Sequence, residues 1–173
     1  VGGSLRMNAG AMGRETFEQV VSVVMVDAQG AVFEKPVGEI RHYYRHVPEL
    51  AHNVAVSAVF RGTPASDDQI AARLNASKDK RKQSQPVAAS AGCVFKNPGL
   101  IGAGQLVDEM GLKNTAKGSA RVSEVHGNFI VNEGGATAKD VLDLIAEIKA
   151  VALRERGIEL ETEVQIIGQD EPI

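Results

Sequence analysis

The chain holds a single cysteine, Cys93, in 173 residues. One thiol excludes an internal disulfide, and with it the small cross-linked scaffold of many secreted proteins; it fits a reducing compartment. An excess of basic charge is also missing. The 19 Lys and Arg stand against 22 Asp and Glu, for a net charge of −3, so the electrostatic footprint of a nucleic-acid binder is absent. The longest apolar run, around "VVSVVMV", falls far short of the roughly 20 residues that span a bilayer. Histidine is sparse and badly spaced for metal: His42, His46, His52 and His126 form no H-x-x-x-H pair with a glutamate beside it. Pro48 and two tyrosines argue against the helix that would align His42 with His46, so no metal site is expected. There is no Walker loop, and the glycines of "GGSLRMNAGAMG" have the wrong spacing for a dinucleotide G-x-G-x-x-G. Repeats and low-complexity tracts are absent too. These absences leave a soluble, cytoplasmic protein with no nucleic-acid or membrane partner as the expectation. Its hydrophobic content of 43% and charged content of 24% are those of an ordinary globular chain. The length allows one large domain or one and a half small ones.

What is present reads as α+β. "VGGSLRMNAGAMG" opens the chain as a glycine-dense loop, and a domain seldom starts inside such a loop, so the chain is expected to be cut from a longer one. Phe17 to Asp27 is rich in β-branched residues and predicts a strand, turned by "AQG" into "AVFEKPV" as a hairpin. Ala51 to Gly62 alternates as a further strand. "PASDDQIAARLNASKDKRKQS" carries Pro64 and acidic residues early and basic ones late, the charge order that favours a helix. The basic run Lys78 to Ser84 reads as its solvated end. Composition shifts at Gln85, where a domain boundary is placed, giving 1–84 and 85–173. Beyond it, Ala103 to Gly111 predicts a short helix, and Ala120 to Asn132 is strand-like at both ends. Thr137 to Gly157 is the clearest helix: Thr137 and Asp140 form a variant capping box, Val141, Leu144, Ile145, Ile148 and Ala152 share a face, and Gly157 stops it. "IELETEVQIIG" is expected to close the chain as a strand.

Small residues at Gly2, Gly3, Ala9, Gly10, Ala11 and Gly13 exceed the needs of one tight turn and favour a loop that faces a ligand. Cys93 lies between a glycine and "VFKNPG". A lone cysteine of this kind is either a buried small hydrophobe or a thiol held at an exposed joint, and the residues leave both open.

The segments "VGGSLRMNAGAMG", "YYR", "SAGCVFKNPG", "AGQLVDEMGLKNTAKGSARVSEVHGNFIVNEGGATAKDVLDLI" and "GIELETEVQIIG" occur in this order. Together they closely resemble the UDP-N-acetylenolpyruvoylglucosamine reductase family, also called UDP-N-acetylmuramate dehydrogenase. The resemblance implies the end of a PCMH-type FAD-binding subdomain followed by an α+β substrate-binding domain. It implies FAD as cofactor and NADPH as reductant. The implied substrate is a UDP-sugar bearing an enolpyruvyl ether, reduced to the lactyl ether of a peptidoglycan precursor. Arg45 of the Tyr-Arg motif is then the cation beside the substrate carboxylate. Cys93 stands where the family commonly has serine and is the proton donor, since an ordinary thiol, titrating near pH ~8.5, is mostly protonated at neutral pH. Glu163 of "LETEV" matches the carboxylate that orients the carboxyl end of the substrate, and Glu161 is its near neighbour outside the motif. Asn97 and His126 fall at polar substrate contacts, and Gly2, Gly3, Asn8, Ala9 and Gly10 match the segment against the isoalloxazine. Val47 departs from the serine often found two places after the motif arginine. The rival readings are a non-catalytic UDP-sugar binding module of the same fold and a different flavoprotein oxidase. An in-frame FAD-binding segment upstream would separate enzyme from module.

Overall fold

The computed structural model describes residues 1–168. Two compact units divide between Leu74 and Asn75, inside a long helix.

In the first unit, helix α1 (Gly2–Arg6) leads into a small hairpin of β1 (Gly10–Ala11) and β2 (Arg14–Glu15). The opening segment is therefore not the loop its glycines suggest. Glycine disfavours helix by about 1 kcal/mol per residue, but Leu5 is fully buried and Arg6 donates to the Leu50 carbonyl. Tertiary contacts override the local preference. Strands β3 (Val20–Val26) and β4 (Val32–Pro36) follow. The expected strand from Phe17 starts later, because Phe17 sits in a 3-10 turn closed by reciprocal capping between Glu15 and Glu18. The β3–β4 turn is held by Asp27, whose Oδ1 accepts from the Gln29 and Ala31 amides at 2.9 Å each. A short helix α2 (Glu49–His52) then shortens the expected strand of Ala51–Gly62 to β5 (Val54–Phe60). The antiparallel sheet runs β4-β3-β5. Its central strand buries Val23 and Met25 among Leu5, Phe17, Val20, Ile40, Val47 and Leu50. On β5, Val54, Val56, Val59 and Phe60 remain exposed.

Helix α3 (Asp67–Ser84) has Asp67 and Asp68 in its first turn and Arg81 and Lys82 in its last, and buries none of its side chains. The run Lys78 to Ser84 is a solvated helix end.

The second unit contains β6 (Ser90–Cys93), α4 (Ala103–Glu109), β7 (Ala116–Lys117), β8 (Ala120–Val122), β9 (Phe129–Asn132) and α5 (Ala138–Arg156). All pairings in the sheet β6-β9-β8-β7 are antiparallel. Helix α5 starts as its sequence says it should: the Thr137 side chain accepts from Asp140 N–H at 3.1 Å, and the Asp140 carboxylate accepts from Thr137 N–H at 2.9 Å. A cap of this kind is worth about 1 kcal/mol. Its apolar stripe, Leu144, Ile145, Ile148 and Ala152, is buried with Leu106, Val107, Val122 and Ile130, and Val151 is buried on the same helix. Each leucine, isoleucine or valine of this kind contributes about 1.5–3 kcal/mol when fully buried. Gly157 ends the helix in the left-handed region, φ 63°.

The closing segment corrects the sequence reading. Residues 157–168 form no strand; they make one isolated bridge, Thr162 with Phe95. Both the Glu163 and the Val164 amides turn to the same acceptor, the Val94 carbonyl, at 2.8 and 3.4 Å. In an antiparallel ladder only every second amide faces a given neighbour, so two consecutive amides on one carbonyl mark a break in extended pairing.

Candidate functional site

Cys93 is the last residue of β6, and the strand is irregular just before it. Ser90 pairs with Val131 and Cys93 with Phe129, so three steps along β6 oppose two along β9. The extra residue is a bulge at Gly92, whose φ is 86°. A Cβ on Gly92 would meet nothing within 4 Å; the backbone angle, not space, calls for glycine. Bulges bend a strand and re-aim a side chain. This one delivers the half-buried thiol of Cys93 at the end of the sheet.

The residues after Cys93 are gripped from two sides. The Val94 amide donates to the Asn128 carbonyl at 2.9 Å, while the Val94 carbonyl accepts from Glu163 N–H at 2.8 Å. Lys96 N–H donates to the Glu161 carbonyl at 2.9 Å. Cys93 and Glu163, distant in sequence, thus meet at one residue: Cys93 precedes Val94 in the chain, and the Glu163 amide holds the Val94 carbonyl. The two nearby glutamates part company here. Glu161 pairs with Lys96 and its side chain is 71% exposed, whereas Glu163 is half-buried. Asn97 lies two residues beyond Phe95, and its Oδ1 accepts from Ala103 N–H at 2.9 Å, fixing the start of α4.

His126 stands on the turn between β8 and β9. Its ring meets Phe129 edge-on at 5.0 Å, and Nδ1 accepts from Asn128 N–H at 3.1 Å. That bond leaves Nε2 as the protonated nitrogen. The turn packs closely on α4: a Cβ on Gly127 would lie 2.5 Å from the Gly104 carbonyl oxygen, so a side chain there displaces backbone. Burial pushes the His126 pKa below its ordinary value, the Lys113 charge adds to this, and a backbone hydrogen bond opposes it. A histidine held neutral in the fold but protonated in the unfolded chain makes stability fall as pH drops through about 6.5. We expect the thermal midpoint of the second unit to decline through that window and His126→Gln to flatten the decline. An unchanged slope in the variant, measured by circular dichroism, would assign the decline to other groups.

In the first unit, Tyr43 and His46 exchange backbone hydrogen bonds at 2.8 and 3.2 Å across a turn with Tyr44 and Arg45 at its tip. Arg45 has φ 56°, a left-handed conformation that costs a non-glycine residue about 1–2 kcal/mol. Its guanidinium carbon lies 5.0 Å from the centre of the Tyr44 ring, and Nη1 is 3.6 Å from where a Cβ on Gly10 would stand. Arg45 and Gly10 are therefore neighbours. Asn8 is fully buried, with Nδ2 donating to Glu15 at 2.7 Å and Oδ1 accepting from Phe17 N–H at 3.1 Å. Its side chain holds the hairpin; Gly2, Gly3 and Gly10 expose bare backbone, and Ala9 is half-buried. Val47, the departure from the family pattern, is a core residue with no exposure. Among the described residues, no group of three or more His, Cys, Asp or Glu could hold a metal ion, and no helix is long and apolar enough to cross a membrane.

Residues 83–167 match the family described as UDP-N-acetylenolpyruvoylglucosamine reductase, C-terminal domain. A reductase of that name from Syntrophus aciditrophicus is 42% identical over 171 residues, covering 98% of this chain and 55% of its own length. One from Bacillus licheniformis is 42% identical over 172 residues, and the match spans 94% of that protein. The crystal structure of the reductase from Thermus caldophilus superposes with a TM-score of 0.83 at 35% identity, over 95% of this chain and 59% of the other. The fold and the comparisons define a chain of mixed helix and sheet with the architecture of that crystal structure. It belongs to the UDP-N-acetylenolpyruvoylglucosamine reductase family. It spans little more than half the length of the Syntrophus relative.

Sequence reasoning did not single out Asn128. The only signal was a Gly-Asn pair between two strand-like ends, which fits a turn as well as a buried clamp.

Proposed function

We propose that this chain is part of a cytoplasmic flavoenzyme that reduces UDP-N-acetylglucosamine enolpyruvate to UDP-N-acetylmuramate, a peptidoglycan precursor, with FAD as cofactor and NADPH as reductant. The observation that carries this reading is the placing of Cys93 and Glu163 on either side of the Val94 peptide, in a chain of this family.

The residues fit FAD. A Cβ on Gly2 or Gly3 would meet nothing within 4 Å, and with Gly10 they offer bare backbone to a flat ring. Gly2, Gly3, Ala9 and Gly10 would hold the cofactor through main chain, and Asn8 would keep the hairpin in place. With FAD bound there and reduced by NADPH, the site would have a hydride source for the β-carbon of the enolpyruvyl ether. Arg45 offsets the negative charge that the substrate carboxylate gains. The Cys93 thiol gives its proton to the α-carbon, which completes the saturated lactyl ether, and the thiolate is reprotonated by water. Glu163 orients the carboxyl end, while Asn97 and the Nε2–H of His126 hydrogen-bond the UDP-sugar.

The test is NADPH oxidation by the full-length protein containing this segment, started by the enolpyruvyl substrate. A yellow protein that leaves NADPH untouched when substrate is added would refute the reading. We expect the 173 residues purified alone to be colourless and inactive, because apolar sheet surface on β5 is exposed and such surface drives association. Stoichiometric FAD by absorbance in that preparation would overturn this second expectation.

A further inference from the structure

The pairing of β6 with β9 ends at Cys93, and the bridge of Phe95 with Thr162 runs through the Val94 carbonyl and the Lys96 amide, yet Phe95 is 1% exposed and its own backbone groups still need partners. Asn128 provides them. Its Oδ1 accepts from Phe95 N–H at 2.8 Å and its Nδ2 donates to the Phe95 carbonyl at 2.8 Å. The side chain is buried at 3% residue exposure. The backbone of the same residue continues the grip: its carbonyl accepts from Val94 N–H at 2.9 Å, and its amide donates to His126 Nδ1 at 3.1 Å. One carboxamide therefore stands in for a missing stretch of strand, two residues after the thiol and one after the carbonyl that holds Glu163.

We propose that Asn128 is the positioning residue of the site: its two bonds to Phe95 hold the Val94 peptide and so set where Cys93 stands relative to Glu163. The bulge at Gly92 leaves the ladder irregular on the N-terminal side of Cys93, so beyond its own pairing with Phe129 the placement of the thiol rests on how Val94 and Phe95 are held. Two unpaired buried backbone groups would not stay in place; Val94 and Phe95 would shift to find water or new partners. A displacement of about 1 Å at a reacting group costs on the order of 100-fold in rate. The proposal rests on Cys93 as proton donor, and the experiment separates the two.

In the full-length protein loaded with FAD, Asn128→Ala is compared with Ile148→Ala, a truncation on α5 in the same core. Both are studied below their unfolding transitions. Asn128→Ala is expected to slow substrate-driven reoxidation about 100-fold at saturating substrate, with reduction by NADPH unchanged. Ile148→Ala changes neither. The second readout is alkylation of Cys93 by iodoacetamide, whose rate shifts by about tenfold or more in Asn128→Ala alone if the thiol has moved. Asn128→Asp keeps the acceptor for Phe95 N–H and falls between wild type and alanine; it carries the test if the alanine variant does not fold. An alkylation rate or a reoxidation rate matching Ile148→Ala would make Asn128 an ordinary core amide and overturn the proposal. If Cys93→Ala reoxidises like wild type, the reading of Cys93 fails instead, and alkylation still decides whether Asn128 places it.

Discussion

Cys93→Ala in the full-length protein is expected, on the proposed function, to leave flavin reduction by NADPH at its normal rate and to slow reoxidation by the enolpyruvyl substrate about 10²–10⁴-fold, the range for loss of a general acid. Stopped-flow absorbance of the flavin separates the two half-reactions. Cys93→Ser keeps substantial turnover, because a hydroxyl at the same place still has a proton to give and the backbone that aims it is unchanged. That backbone is specified by the Gly92 bulge and by the bonds of Val94 and Phe95, none of which involves the sulfur. Reoxidation of the alanine variant at the wild-type rate would remove Cys93 from the chemistry and return it to a small, half-buried packing residue.

Glu163→Gln is expected to depress the same half-reaction by about 10²–10³-fold, the effect of losing one preorganised electrostatic group. Glu161→Gln changes it by less than about twofold, as expected of an exposed ion pair with little energetic weight. The contrast tests geometry against proximity in sequence. The two glutamates are two residues apart, but the Glu161 side chain reaches out to Lys96 on the surface, while Glu163 is half-buried beside the peptide that comes after Cys93. Equal losses in the two variants would mean that the carboxyl end of the substrate is held by the charge of the segment and not by one placed carboxylate. Charge neutralisation leaves the backbone bonds from this segment to Val94 and Lys96 intact, so both proteins fold.

The sequence by itself determined the elements whose causes are local. Helix α5 is written in its Thr137–Asp140 box, its apolar stripe and its terminal glycine, and all three act within a few turns of one another. Strands β8 and β9 show in their own β-branched and apolar residues, and the β3–β4 hairpin in the Asp27 turn. Only the tertiary structure decided the rest, because the deciding interactions join residues far apart. The opening glycines became α1 because Leu5 found a core and Arg6 found Leu50. The closing segment, which alternates like a strand, stopped pairing because two of its amides share the Val94 carbonyl. Asn128, in a Gly-Asn pair between two strand-like ends, read as a turn residue; the fold sets it beside Phe95. A carboxamide has no preference, read along the chain, for one peptide group over another; burial removes water as an alternative partner, and then the fold chooses which backbone it must satisfy.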